Sequence, residues 1–166
     1  MKIPIKQIYI ALSFLILPFV FANSSFANKV NFKPFYASIK SEKVNVRIGP
    51  NVRYPIKWVF VKKNEPVEVV ASFEQWRKIR DINGDEGWVN SNMLSNRRYI
   101  IIVGTKKVPI FKKKDLSSKI IAEAEQDIRG NLISCDPSLC MVEMQKIKGW
   151  VEKKYIWGIY NDENIK

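Results

Sequence analysis

From Ser38 onward the chain is patterned with a period of two. Lys43-Val44-Asn45-Val46-Arg47 alternates polar and apolar residues strictly, and Ile48-Gly49-Pro50-Asn51 follows with loop-forming residues. Ile56 to Val61 is apolar and β-branched, Lys62-Lys63-Asn64-Glu65 interrupts it, and Pro66 to Phe73 resumes with Val67, Val69, Val70 and Phe73. This pattern predicts strand, turn and strand. Trp76 to Arg80, the Asn83-Gly84 pair favoured in tight hairpins, and Gly87-Trp88-Val89 complete the run. Five short strands within about 55 residues, with no amphipathic helix, describe a small barrel.

A second stretch repeats the plan. Gly87-Trp88-Val89 precedes Leu94 by the same offset at which Gly149-Trp150-Val151 precedes Ile156, and Trp88 and Trp150 stand 62 positions apart. In that register Lys107 to Phe111 corresponds to the first strand and Lys119 to Glu125 to the next. Ile128 to Cys135 and Cys140 to Met144 form the central hairpin. The expected organisation is an export segment at 1–27, a lead-in at 28–37, one domain at 38–98, a second at 99–160 and a tail at 161–166. Ile100 to Val103 is too apolar for a free linker and predicts a strand packed between the two units.

Residues 1–27 read as a cleaved signal peptide: Lys2 and Lys6 are the positive start, Ile8 to Phe21 the apolar run, and Ser25-Phe26-Ala27 the small-x-small cleavage site, with Ala22 as the alternative. The run contains Pro18 and falls short of the roughly 20 residues that span a bilayer, so no stable membrane anchor is expected after cleavage. Export, and a periplasmic location, follow as expectations.

Charge and composition narrow the function. Against 16 Asp and Glu stand 28 Lys and Arg in 166 residues, a net charge of +12 that favours anionic partners. Export argues against nucleic acid among them. Histidine is absent, which removes Ser-His, Cys-His and His-metal chemistry, and neither an enzyme activity, a cofactor nor a metal is expected. The runs Lys62-Lys63, Lys106-Lys107 and Lys112-Lys113-Lys114 fall at predicted turns and read as solvated, edge-protecting surface. Cys135 and Cys140 flank the turn-forming Asp136-Pro137-Ser138-Leu139, and in an oxidising compartment they are expected to form a structural disulfide. Closing so short a loop contributes about 2 kcal/mol in the chain-entropy model.

Val44-Asn45-Val46-Arg47-Ile48-Gly49-Pro50, then Trp76-Arg77-Lys78-Ile79-Arg80, then Gly87-Trp88-Val89 and Met93-Leu94 resemble the bacterial SH3-like (SH3b) domain. The second repeat keeps Gly149-Trp150-Val151 but has Lys107-Val108-Pro109-Ile110-Phe111 in place of the opening string. With Cys135, Cys140 and Trp157-Gly158 it resembles the degenerate second unit of an exported tandem subfamily. The resemblance implies an all-β fold of two tandem small SH3-like β-barrels. It implies a non-catalytic module that recognises peptidoglycan or its peptides, or alternatively docks an envelope protein.

Four residues are candidates for ligand binding. Arg47 is expected to brace the loop after its strand or to face a ligand, and Tyr54, Trp58 and Trp76 are the groove aromatics. Trp88 and Trp150 are read instead as core plugs, since a domain of about 60 residues needs large apolar side chains to close its interior.

Overall fold

The computed structural model describes residues 32–104 and 107–166, and the expected export segment at 1–27 lies outside the described residues. Among the described residues the alternation in the sequence resolves into fourteen short strands. Seven belong to a first antiparallel sheet: β1 (Phe35–Ile39), β2 (Val44–Arg47), β3 (Ile56–Phe60), β4 (Pro66–Phe73), β5 (Trp76–Arg80), β6 (Glu86–Asn90) and β7 (Leu94–Ser95). Seven belong to a second: β8 (Tyr99–Ile102), β9 (Val108–Phe111), β10 (Ile120–Ala124), β11 (Arg129–Cys135), β12 (Leu139–Met144), β13 (Ile147–Glu152) and β14 (Ile156–Trp157). The orders β3-β2-β6-β5-β4-β1-β7 and β10-β9-β13-β12-β11-β8-β14 are the same topology twice. The fold is all-β. Each sheet wraps its own core, Ile39, Val44, Val46, Val67, Val69, Ile79 and Val89 in the first, and Ile100, Ile102, Ile110, Val142 and Val151 among those of the second.

Local irregularities repeat as well. The β4–β5 ladder shifts register between Val69 and Ala71, and the β11–β12 ladder shifts between Leu132 and Ser134, a bulge at the equivalent place that bends each hairpin over its barrel. Cys135 and Cys140 face one another two residues beyond the bulge, joined as a disulfide with Cα atoms 4.1 Å apart. Asp136 Oδ1 accepts hydrogen bonds from the Ser138 and Leu139 amides, both at 2.7 Å, which is the side-chain turn chemistry that Asp-Pro-Ser supplies. In the first barrel the corresponding turn is Glu74-Gln75, with Glu74 at φ 47°.

The glycine of each Gly-Trp-Val string is required by space. A Cβ on Gly87 would strike Val46 Cγ1 and come within 3.1 Å of the Arg47 carbonyl; on Gly149 it would strike Ile110 Cγ2 and come within 2.9 Å of the Phe111 carbonyl. At these two points β2 and β9 cross closely over β6 and β13. The alternation then runs Gly in, Trp out, Val in, so Trp88 and Trp150 lie half-buried on the outer faces and are not core plugs. Val89 and Val151, both fully buried, take that role.

Two segments carry more structure than the sequence suggested. A strand begins at Phe35, inside the expected lead-in, because Ala37 and Ile39 belong to the core and β1 pairs with both β4 and β7. The expected tail pairs back as well: the Cys135 and Ile165 backbones exchange hydrogen bonds of 2.8 and 2.9 Å, and the buried Lys153 donates from Nζ to the Glu163 carbonyl at 2.7 Å.

β8 is covered on both faces. Ile100 and Ile102 enter the second core, and the equally buried Ile101 alternates to the other side, where β8 lies against β4. Polar contacts frame this junction. Arg129 forks onto Glu65 (Nη2–Oε1 2.6 Å, Nε–Oε2 3.0 Å), the Tyr160 hydroxyl donates to Glu68 at 2.8 Å, and the Tyr99 amide donates to Ser38 Oγ at 3.2 Å. The Tyr36 ring meets Trp157 edge-on at 5.3 Å and lies 4.8 Å from Tyr160. Burial, followed by the Glu68 carboxylate, pushes the Tyr36 hydroxyl up to about 12, so this phenol stays neutral. Arg98 donates to both carboxylate oxygens of Glu163 and to the Gly158 carbonyl, tying the C-terminal segment beside the junction.

Two outcomes are expected. Gly87→Ala should destabilise the protein by about 1–3 kcal/mol through overpacking, read from the denaturant midpoint. Partial burial raises the Glu163 carboxyl, but the hydrogen bonds from Arg98 and the Tyr160 amide and the Arg98 charge outweigh it, leaving the pKa below its ordinary 4.5. The stability from this clasp is therefore fully present above pH 4.5 and lost as the pH falls through the depressed value. Thermal melts from about pH 3 to 7 should show a smaller acid loss for Glu163→Gln than for the unaltered protein.

Candidate functional site

The alternation of β2 sets the site. Val44 and Val46 turn into the core, which leaves Lys43, Asn45 and Arg47 together on the other side. β5 and β6 pair there with Trp76 opposite Asn90 and Lys78 opposite Trp88, while Arg47 pairs with Trp88 from β2. A cleft of about 320 Å³ opens at this end of the barrel, lined by Lys43, Asn45 and Arg47, by Trp76 and Asn90, and by Val52 from the loop between β2 and β3. Trp76 is only 5% exposed yet stands outside the Val/Ile core cluster, and it supplies the cleft's aromatic wall. Two cations line the cleft and no carboxylate does.

The loop that borders it is held in shape by its own bonds. Ile48 donates its amide to the Pro55 carbonyl at 3.1 Å, Tyr54 to Asn51 at 3.2 Å, and Arg53 to Asn51 Oδ1 at 2.9 Å. The Tyr54 ring lies where a Cβ on residue 49 would sit, so glycine is needed there for close approach. Arg47 Nη1 donates to the Tyr54 carbonyl at 2.7 Å, bracing the loop as a planar fork of donors does well, while the same side chain faces the cleft. Asn90 Oδ1 accepts from the Asn92 amide at 3.0 Å, which fixes the amide group at the cleft's edge.

The structure thus brings Arg47 and Trp76 together, with Tyr54 tied to Arg47 through its backbone. Trp58, the other candidate, lies outside the lining of this cleft. It pairs with Val46 and packs against the first core, its ring in edge contact with Phe60 at 6.2 Å, because the β2–β3 register turns it toward Gly87. Lys43, Asn45 and Asn90 were missed, although the same alternation that buries Val44, Val46 and Val89 places all three outward.

The second barrel changes the equivalent positions. Phe111 pairs with Trp150 as Arg47 pairs with Trp88, and Leu139 pairs with Glu152 as Trp76 pairs with Asn90. A cation, an aromatic and an amide become an apolar ring, an aliphatic side chain and a carboxylate. Lys114 occupies the outer face instead, 5.5 Å from the Trp150 ring and 2.8 Å from Asp136. Its hydrogen bond, with those of the Leu139 and Ser138 amides, holds the Asp136 carboxyl down to about 2. Among the described residues no group of three or more Cys, Asp or Glu side chains is placed to hold a metal ion.

Residues 40–96 match the family model for the bacterial SH3 domain. The cleft lies within this SH3 segment, from Lys43 to Met93. Among solved structures the chain is similar to NlpC2 from Trichomonas vaginalis, with 9% identity, 79% of this chain and 50% of that chain covered, and a TM-score of 0.36. It is also similar to an NlpC/P60 family protein from Bacillus cereus ATCC 10987, with 13% identity, coverage of 74% and 55%, and a TM-score of 0.34. The chain therefore spans about half the length of these proteins. No curated protein matches it significantly in sequence.

Replacing Arg47 with Met keeps the stem and removes the donor. Amide exchange at Ile48 and Tyr54 in the SH3 segment should then quicken about tenfold, matching the roughly 1–1.5 kcal/mol of one hydrogen bond. Hydrogen exchange followed by NMR reads this directly.

Proposed function

We propose that the protein is an exported, non-catalytic binding module of the bacterial periplasm that recognises peptidoglycan through its peptides. The observation that carries this reading is the cleft of the SH3 segment, where an aromatic wall at Trp76 and cations at Arg47 and Lys43 line one cavity free of carboxylates. A wall peptide presents carboxylates beside short aliphatic side chains. The cations take the former as charge-assisted hydrogen bonds, and Trp76 and Val52 take the latter. Arg47 spends one N–H on the Tyr54 carbonyl, and among the described residues its other guanidinium donors have no protein partner. Removal of residues 1–27 takes Lys2 and Lys6 and no acid, and the remaining net charge of +10 raises the encounter rate with an anionic wall and makes binding weaken with salt.

A second reading, docking of an envelope protein, draws on the loop itself. Ile48, Val52, Tyr54 and Ile56 are all exposed within nine residues, an apolar edge that a protein partner would cover. Co-sedimentation with purified peptidoglycan separates the two readings. The wall reading expects the protein in the pellet at low salt, with retention falling about tenfold for Arg47→Gln, whose cleft loses its central cation. Protein left in the supernatant at low salt contradicts it.

A further inference from the structure

A separate cleft lies between the barrels, and nothing in the wall-peptide reading uses it. At about 490 Å³ it is larger than the Trp76 cleft. Its first wall is the connection from β3 to β4, Lys62-Lys63-Asn64-Glu65; its second is the turn Gln145-Lys146 between β12 and β13; Tyr99, Arg129 and Asn131 lie between. The walls are fixed to one another. Arg129 forks onto Glu65 across the junction and donates to the Asp127 carbonyl, Asn131 pairs with Tyr99, and the Asn64 amide donates to the Ile39 carbonyl at 2.7 Å.

The charges in this cleft are arranged for an anion. Arg129 and Glu65 neutralise each other, leaving Lys62, Lys63 and Lys146 against the single carboxylate of Glu143. Among the described residues none of the three lysines enters an ion pair or a side-chain hydrogen bond, so each ammonium is available to a ligand. The amides of Asn64, Asn131 and Gln145 add neutral donors at the same place. The turns are also unusual in composition. Gln145 and Lys146 sit at φ 47° and 72°, and Asn64 at 65°. A hairpin turn with two successive positive φ angles ordinarily takes Asn-Gly, and longer side chains there carry strain of about 1 kcal/mol each. The chain keeps a lysine and a glutamine at that turn, pointing to a use for their side chains.

We propose that the inter-barrel cleft is an oxyanion site for a ligand carrying two or more adjacent carboxylate or phosphate groups, held by Lys62, Lys63 and Lys146. Preorganisation by the Arg129–Glu65 fork lets the three lysines act together on neighbouring anionic groups, outweighing the single carboxylate of Glu143.

The test is a titration of the isotopically labelled protein followed by amide NMR, with tripolyphosphate in one arm and a tri-glutamate peptide in the other. Saturable shifts confined to residues 62–65, 129–131 and 143–146 are expected in at least one arm, and the arm that responds names the source as phosphate or carboxylate. The double variant Lys63→Ser, Lys146→Ser should weaken this binding about tenfold. Lys112→Ser with Lys113→Ser, a control for general charge, should leave it unchanged. Arg47→Gln should also leave it unchanged, which separates this site from the wall-peptide cleft. Shifts in neither arm, shifts spread over lysines at large, or equal weakening by both double variants would overturn the proposal.

Discussion

Two glycines with no room for a Cβ organise this protein. At Gly87 and Gly149 the neighbouring strands β2 and β9 approach β6 and β13 so closely that a Cβ would meet a Val46 or Ile110 methyl group and an Arg47 or Phe111 carbonyl. That contact fixes the inward direction of Val89 and Val151 and therefore the outward direction of Trp88 and Trp150. Arg47 and Asn90 take their places by the same alternation. A domain of about 60 residues holds only a few kcal/mol in reserve, so one misplaced methyl group here is a sizeable fraction of the total.

The same scaffold then serves the two barrels differently. In the first, the outward positions gather a cation, an indole and an amide around an open cleft. In the second, the same positions hold Phe111, Leu139 and Glu152, and the hairpin above them is cross-linked by the disulfide and tied to Ile165. The second barrel joins the first through β8, Arg129 and Tyr160, and its C-terminal segment is clasped by Arg98. The Trp76 cleft lies on one unit, and the other is stapled by its disulfide and anchored against the first.

Much of this was legible in the sequence because strand periodicity is a local signal. The alternation at Lys43 to Arg47, the repeated Gly-Trp-Val and the apolar Ile100 to Val103 each found their element. Asn83-Gly84 marked a turn, although the loop is longer than a tight hairpin: Asp81 Oδ1 accepts from both the Asn83 and Asp85 amides, and Gly84 takes φ 87°. What was not legible depended on distant partners. Trp58 is placed by its pairing with β2 and its approach to Gly87, which no local pattern shows. Phe35 to Ala37 resembles a lead-in until its pairing with β4 is seen. The inter-barrel cleft joins turns about 80 residues apart and has no sequence signature at all, since it exists only once the barrels dock.

In the proposed function the first barrel meets the wall through its outward face at Trp76. Fluorotryptophan NMR tests it directly, because the five tryptophans report from separate places. Adding soluble peptidoglycan fragments should displace the Trp76 resonance saturably and leave those of Trp58, Trp150 and Trp157 in place. A Trp76 signal that stays fixed while the fragments bind would contradict the account.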